Sequence, residues 1–286
     1  MNKSQLILIF LFFIPFQWSK AQNKIDFHSR DNIKLFADYL FCTKDYLRAS
    51  NEYNKYLLKV YSDSIEFKSA LALQKIGSFD EALQRFKNIP LESAFYLNSI
   101  EEYYRTLFLK KDFMGLRKNY SKDRPTDSSY SFLTRLDRLS LLFSEDNLPD
   151  EENFISTFPR NERSFIKKFY EFKTSPPYKS PALASILSAL IPGLGKVYTE
   201  NYGDALFAAL LTGVCGYIAY TDFNADHKVR GWIFTGAAAF FYTGNVYGSA
   251  AAAQIYNAKI KFNFETELND FLDVFHYLSG VYNFCK

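Results

Sequence analysis

Catalytic signatures are missing from this sequence. The histidines are His28, His227 and His276, each isolated along the chain. No H-E-x-x-H, P-loop, G-x-G-x-x-G or G-x-S-x-G element occurs, so the common metallohydrolase, nucleotide-binding and serine-hydrolase patterns are excluded. Cysteine is scarce. Cys42, Cys215 and Cys285 form no C-x-x-C pair, which removes a zinc ribbon or thioredoxin-like motif. Cys215 lies in an apolar stretch and reads as a small core residue. Cys42 and Cys285 can pair only if both are exported and close in space. Charge of one sign is lacking too, with 34 basic against 31 acidic residues. That balance gives no clustered basic face, so nucleic acid is not expected as a partner. The acidic pair Glu101-Glu102 sits beside tyrosines in a helical pattern and reads as a solvated face. We expect no enzyme, no cofactor and no metal.

Aromatic residues are abundant, at 19% of the chain. Rings carry a large burial area, so short helices can still fill a core. The chain opens MNKSQLILIFLFFIPFQWSKAQ, with Lys3 as a short positive region and Leu6 to Phe16 as an apolar one. Ser19 and Ala21 place small residues where a signal peptidase reads them, which predicts cleavage after Ala21. The alternative is an uncleaved anchor, although the apolar run is short for a span. No cysteine follows it to carry a lipid. The peptide is bacterial in style and predicts a mature chain outside the cytoplasm.

Residues 30–172 lack long apolar runs, and apolar residues recur at three and four, the helical period. The segment also repeats itself. Ala37 and Ala49 stand twelve apart, as do Ala70 and Ala82, thirty-three positions later. Leu40 corresponds to Leu73 and Tyr53 to Phe86 at the same offset. The turns Lys44-Asp45-Tyr46 and Gly77-Ser78-Phe79 correspond as well. Small residues let two helices approach, and the aromatic four residues after the second alanine shares its face and fills the groove to the next pair. On these residues the segment resembles the tetratricopeptide repeat family. A third unit follows at an offset of thirty-four, with Leu107, Phe113 and Tyr120, and with Tyr104 and Leu116 at the small positions. Residues 128–172 continue as a fourth hairpin or cap, with a helix over 160–172. The resemblance implies a concave surface that binds a protein or peptide.

Composition changes at Ser175-Pro176-Pro177. From Ala182 to Ala253 the chain is mostly Ala, Leu, Gly, Phe and Tyr. Ala182–Ile191 is too short to span and suits an interfacial or re-entrant helix. Asp204–Tyr220 and Gly231–Ala253 read as two spans joined by the polar turn 222–230. Small residues recur at four, as Ala205, Ala209 and Gly213 and as Gly236, Gly244, Gly248 and Ala252. In lipid such rows let backbones touch, within one chain or between copies in a homo-oligomer. Pro192, Gly193 and Gly195 suit a chain reversal, and Tyr198 suits an interface. Asp204 begins a helix, where a carboxylate is favoured. Asn245 is an amide in an apolar helix. It reads either as an interhelical hydrogen bond, for instance to the 192–204 loop, or as a functional group.

Ser180-Pro181-Ala182-Leu183-Ala184, Ile191 to Tyr198 and Tyr202-Gly203-Asp204-Ala205 together resemble the small bacterial two-transmembrane domain families, which carry a P-G-x-G-x-x-Y element before a helical hairpin. Phe241 to Gly248 is similar to variants of that group. The resemblance implies membrane placement and no activity. Beyond it, Leu268, Phe271, Leu272, Phe275 and Leu278 share a face of an amphipathic helix, which packs on the repeats or lies on the membrane.

The expected architecture is all-α. A signal peptide (1–21) precedes a helical-repeat solenoid (22–174), a proline linker (175–181), a membrane hairpin with a short re-entrant or interfacial helix (182–258), and an amphipathic helix (259–286). The expected protein is a non-enzymatic component of the bacterial inner membrane. Its partners are the lipid bilayer and a protein bound by repeats facing the periplasm. The alternative is a small transport or lipid-handling component built around the 192–204 loop and Asn245. Two or three spans remain open, and with them the side of the tail.

Overall fold

The computed structural model describes residues 26, 28–123, 131–144 and 146–285, so the expected signal peptide over 1–21 lies outside the described residues. Thirteen helices and no strand are found among the described residues. The chain divides into two compact units, one of Met1–Asn119 with Gly280–Lys286, the other of Tyr120–Ser279.

The first unit contains α1 (Arg30–Cys42), α2 (Tyr46–Leu57), α3 (Asp63–Lys75), α4 (Phe79–Lys87), α5 (Tyr96–Leu109) and most of α6 (Phe113–Asp123). From α1 to α5 each helix packs on the next, and α3 also packs on α5. This is the order of contacts that stacked helix pairs make. Side chains set the helix starts: Ser29 accepts from the Asn32 amide at 3.3 Å, and Asp45 from the Arg48 amide at 3.2 Å.

The helix ends repeat. Lys44, Gly77 and Lys111 all have positive φ, at 64°, 82° and 61°. After each, an amide reaches back five residues: Asp45 to the Leu40 carbonyl at 2.9 Å, Ser78 to Leu73 at 2.9 Å, Asp112 to Leu107 at 3.0 Å. This left-handed turn closes the first helix of each pair. Only Gly77 adopts it without a Cβ penalty. Ala37, Ala49, Tyr53, Ala70, Ala82 and Phe86 are all buried, and so are Tyr104 and Leu116, which stand at the small positions of the third pair. Burying a ring such as Phe86 stabilises the stack by roughly 1.5–3 kcal/mol.

Glu102 corrects the solvated-face reading of Glu101-Glu102. It is fully buried in α5. It pairs with Arg105 and accepts from Gln74 Nε2 at 2.9 Å and from the Tyr282 hydroxyl at 2.8 Å. Burial and the Glu102 carboxylate together push the Tyr282 hydroxyl pKa up. Cys42 and Cys285, both exposed, are joined by a disulfide.

The second unit contains α7 (Ser131–Leu142), α8 (Glu151–Ser156), α9 (Arg163–Thr174), α10 (Pro181–Leu190), α11 (Leu194–Tyr198), α12 (Tyr202–Asn224) and α13 (Lys228–Val274). The division between these two compact units falls after Asn119. The hairpin's second helix and the expected tail helix are one element. At 47 residues, α13 is about 70 Å long. Its first half lies along α12, and its second half packs on α9, where Phe264 stacks on Phe172 at 4.2 Å between centroids and Phe271 meets Phe169 edge-on at 5.5 Å. It stops at Val274, after which Tyr277 is buried against Phe132 and donates to Glu162 at 2.6 Å.

One helix among the described residues, Tyr202–Asn224, is long and apolar enough to cross a membrane. The expected second span, 231–253, falls outside that criterion, because Trp232, Tyr242, Asn245, Tyr247 and Ser249 dilute its apolarity. Ala70 tests the first unit. Ala70→Leu should destabilise it by about 1–3 kcal/mol through overpacking, read as a lower denaturation midpoint by circular dichroism. An unchanged midpoint would show that these helices do not need the small residue.

Candidate functional site

The residues singled out in the 192–204 loop and at Asn245 come together in the second unit. Ser180 caps α10, its Oγ accepting from the Leu183 amide at 3.3 Å, with Pro181 in the first turn. Pro192 follows the end of α10, and Gly193 turns the chain with φ +93°. A Cβ at Gly193 would overlap the Ala205 carbonyl oxygen. Gly195 then sits directly on α10, where a Cβ would overlap the Ala184 carbonyl and stand 2.7 Å from Ser188 Oγ.

A chain of hydrogen bonds crosses this contact. The Gly195 amide donates to Ser188 Oγ at 2.9 Å, Ser188 and Ser249 share a bond of 2.6 Å between hydroxyls, and Ser249 Oγ donates to the Asn245 carbonyl at 2.8 Å. With Ser188 Oγ accepting from the amide and Ser249 Oγ committed to a carbonyl, Ser188 is the donor between the two hydroxyls. Asn245 Nδ2 donates to the Ser188 carbonyl at 3.4 Å, so the interhelical bond goes to α10 and not to the loop. Asn245 Oδ1 is buried without a hydrogen-bond partner.

The surrounding residues brace the same corner. The Tyr198 hydroxyl accepts from the Ser180 amide at 3.2 Å, and Lys179 Nζ lies 4.9 Å from the Tyr198 ring centroid. Asn257 clamps the Lys179 backbone, accepting from its amide at 2.7 Å and donating to its carbonyl at 2.9 Å. Tyr242 donates to the Ala189 carbonyl at 2.7 Å. Asp204 is exposed at the start of α12, where Asn201 caps its amide at 3.4 Å and donates to its carboxylate at 2.8 Å. A groove of 210 Å³ runs beside the corner, lined by Lys196, Asp204, Phe207, Leu211, Phe240 and Asn245 among others.

The small-residue rows fall differently from the sequence expectation. Gly213, Gly236 and Gly244 have open space where a Cβ would point, and Gly248 meets only the Lys196 side chain, at 3.6 Å. The buried positions include Ala205, Ala208 and Ala219 on α12, and Asn245, Ser249 and Ala253 on α13. The packed face of α13 is thus one residue further along than Gly244-Gly248-Ala252. Sequence reasoning missed Ser188 and Ser249. Their signal was present, as two hydroxyls in otherwise apolar helices, where buried polar groups need partners.

No protein-family model, curated protein or solved structure matches this chain. Among the described residues no group of His, Cys, Asp or Glu is placed to hold a metal ion. The corner has no nucleophile beside a general base. Apart from Asn245 Oδ1, its hydroxyls and amides are spent on backbone groups and on each other, and these bonds hold α10, α11 and α13 together. Gly195→Ala should therefore destabilise the protein by about 1–3 kcal/mol or more. Gly203→Ala, with open space at its Cβ, should stay within about 0.5 kcal/mol. Thermal unfolding of both variants checks this, and equal midpoints would contradict the close approach.

Proposed function

We propose that this chain is a non-enzymatic, membrane-anchored protein of the bacterial envelope that presents a tetratricopeptide-like repeat unit to a protein partner. The observation that carries the membrane half is the outward face of α12. Only 17% of its apolar window is buried, and Leu206, Phe207 and Val214 are 60%, 66% and 52% exposed. Soluble proteins rarely leave a continuous apolar face of that kind uncovered. The short apolar helix α10 and the Pro192-to-Tyr198 turn fit the two-transmembrane hairpin with a P-G-x-G-x-x-Y element. The Cys42–Cys285 disulfide favours an oxidising compartment, in keeping with a signal peptide and with repeats in the periplasm.

The partner half rests on the stack of helix pairs, which builds an extended surface out of neighbouring repeats. At its first helix, Leu35, Phe36 and Tyr39 are exposed. Leu35 and Phe36 line a 620 Å³ cleft together with His28, Glu52 and Lys55. Apolar groups rimmed by charge suit a protein contact. The open Gly236 and Gly244 leave a small-residue face available for a second copy in the bilayer.

A second reading, a transport or lipid-handling component, is favoured by the groove beside Lys196 and Asp204 and by the unpartnered Asn245 Oδ1. Asn245→Leu separates the two. Loss of function at unchanged protein level supports the second reading, and a fall in level marks Asn245 as packing. For the first reading, affinity purification of the tagged chain from gently solubilised membranes should recover a protein partner. Leu35→Asp combined with Tyr39→Asp should lower that recovery by roughly tenfold, as for central contact residues. No co-purifying protein, or recovery unchanged by the pair of substitutions, would sink it.

A further inference from the structure

The C-terminal segment Gly280–Cys285 belongs to the first unit, and it contacts helices α1, α3 and α5. Its side chains alternate. Val281 and Asn283 are exposed, whereas Tyr282 and Phe284 are half-buried against the repeats, as expected of an extended chain docked along one face. The Tyr282 ring meets Phe67 edge-on at 5.2 Å, and its hydroxyl donates to the buried Glu102 at 2.8 Å. Phe284 packs on Phe41 and Phe67 at 6.3 and 6.2 Å, and Lys68 Nζ lies 5.1 Å from its centroid. Gly280 lies so close to Glu102 that a Cβ would overlap the carboxylate. The segment covers part of α3 at Phe67 and Lys68. With it, α3 is buried on every face from Ile65 to Gln74.

The segment has no secondary structure of its own. It is fixed by side-chain contacts and by one covalent bond whose two residues, Cys42 and Cys285, are both exposed. Exposure leaves that bond open to attack by a thiolate. We infer that Gly280–Cys285 is a removable, disulfide-latched occupant of the α1–α3–α5 face, and that unlatching opens this face to an extended peptide of the same chemistry, aromatic at alternate positions with a tyrosine hydroxyl for Glu102. The unlatching step is thiol–disulfide exchange with an exported dithiol reductant. One thiolate of the dithiol attacks a sulfur of the Cys42–Cys285 bond and forms a mixed disulfide. Its second thiolate resolves that bond. The protein gains two electrons and two protons as two thiols, and the reductant leaves as its own disulfide. This inference deepens the proposed partner-binding role and rests on it, and it concerns a face separate from the cleft at Leu35 and Phe36.

The test uses the full chain in detergent and a fluorescent peptide covering residues 279–286 with Cys285→Ser, read by anisotropy. The oxidised chain should bind the peptide weakest, and the reduced chain roughly tenfold tighter, because its tail still competes as a tethered ligand. A chain ending at Ser279 should bind tightest. A peptide carrying Tyr282→Ala and Phe284→Ala should bind that shortened chain roughly tenfold more weakly. Equal binding to oxidised and reduced chains overturns the inference. So does a shortened chain that keeps its helicity and fails to bind. If the shortened chain loses its helicity, the segment is a structural strap and the inference falls as well. Recovery of a partner in the purification experiment despite any of these failures would leave the partner-binding role standing on another surface.

Discussion

Close approach of helix backbones, permitted by residues with little or no side chain, is the constraint on which both units depend. In the hairpin it is most severe at Gly195, whose Cα faces the Ala184 carbonyl with no room for a methyl group. That contact brings the Gly195 amide to Ser188, and Ser188 to Ser249, so that three helices share one polar seam. In an apolar surrounding such a seam persists because each hydroxyl that left it would lose its partner. In the repeat unit Ala37, Ala49, Ala70 and Ala82 do the corresponding work without polar help. There, aromatic residues such as Tyr53 and Phe86 fill what the alanines leave open.

Buried charge gives each unit a second anchor. Glu102 is held by Arg105, Gln74 and Tyr282, and Glu162 by Tyr277, with Arg135 Nη1 at 3.8 Å. Removing a carboxylate from water costs several kcal/mol, a cost offset only where its oxygens are fully satisfied. In both cases a tyrosine from the C-terminal stretch completes the set. That stretch therefore does more than end the chain. Tyr277 supplies the bond that Glu162 needs within the second unit, and Tyr282 does the same for Glu102 within the first.

The run of consecutive packed helices was legible because its signal is local. Alanines and aromatics recur at a fixed offset, and the turns after Leu40, Leu73 and Leu107 recur with them. The short helix before Pro192 was legible from length and composition alone. What the sequence hid was long-range. Nothing near Glu102 announces that Tyr282, 180 residues away, supplies its hydrogen bond. The facing register of α12 and α13 was misplaced for a related reason. Small residues occur on several faces of both helices, and the face of α13 that turns inward also meets α10, through the bond between Ser188 and Ser249 on separate elements. The unbroken run of α13 was hidden because no glycine or proline marks where membrane-like composition gives way to an amphipathic pattern, and a helix continues through such a change without local cost.

The proposed function requires that the hairpin lie in lipid while its connecting turn does not. Spin-label accessibility measures this directly. Nitroxides placed singly at Leu206, Leu210, Val214 and Asp226 in the membrane-reconstituted chain report collisions with oxygen and with a water-soluble nickel chelate. A hairpin in lipid gives oxygen dominance at Leu206, Leu210 and Val214, and chelate dominance at Asp226. Chelate dominance at all four positions would contradict it.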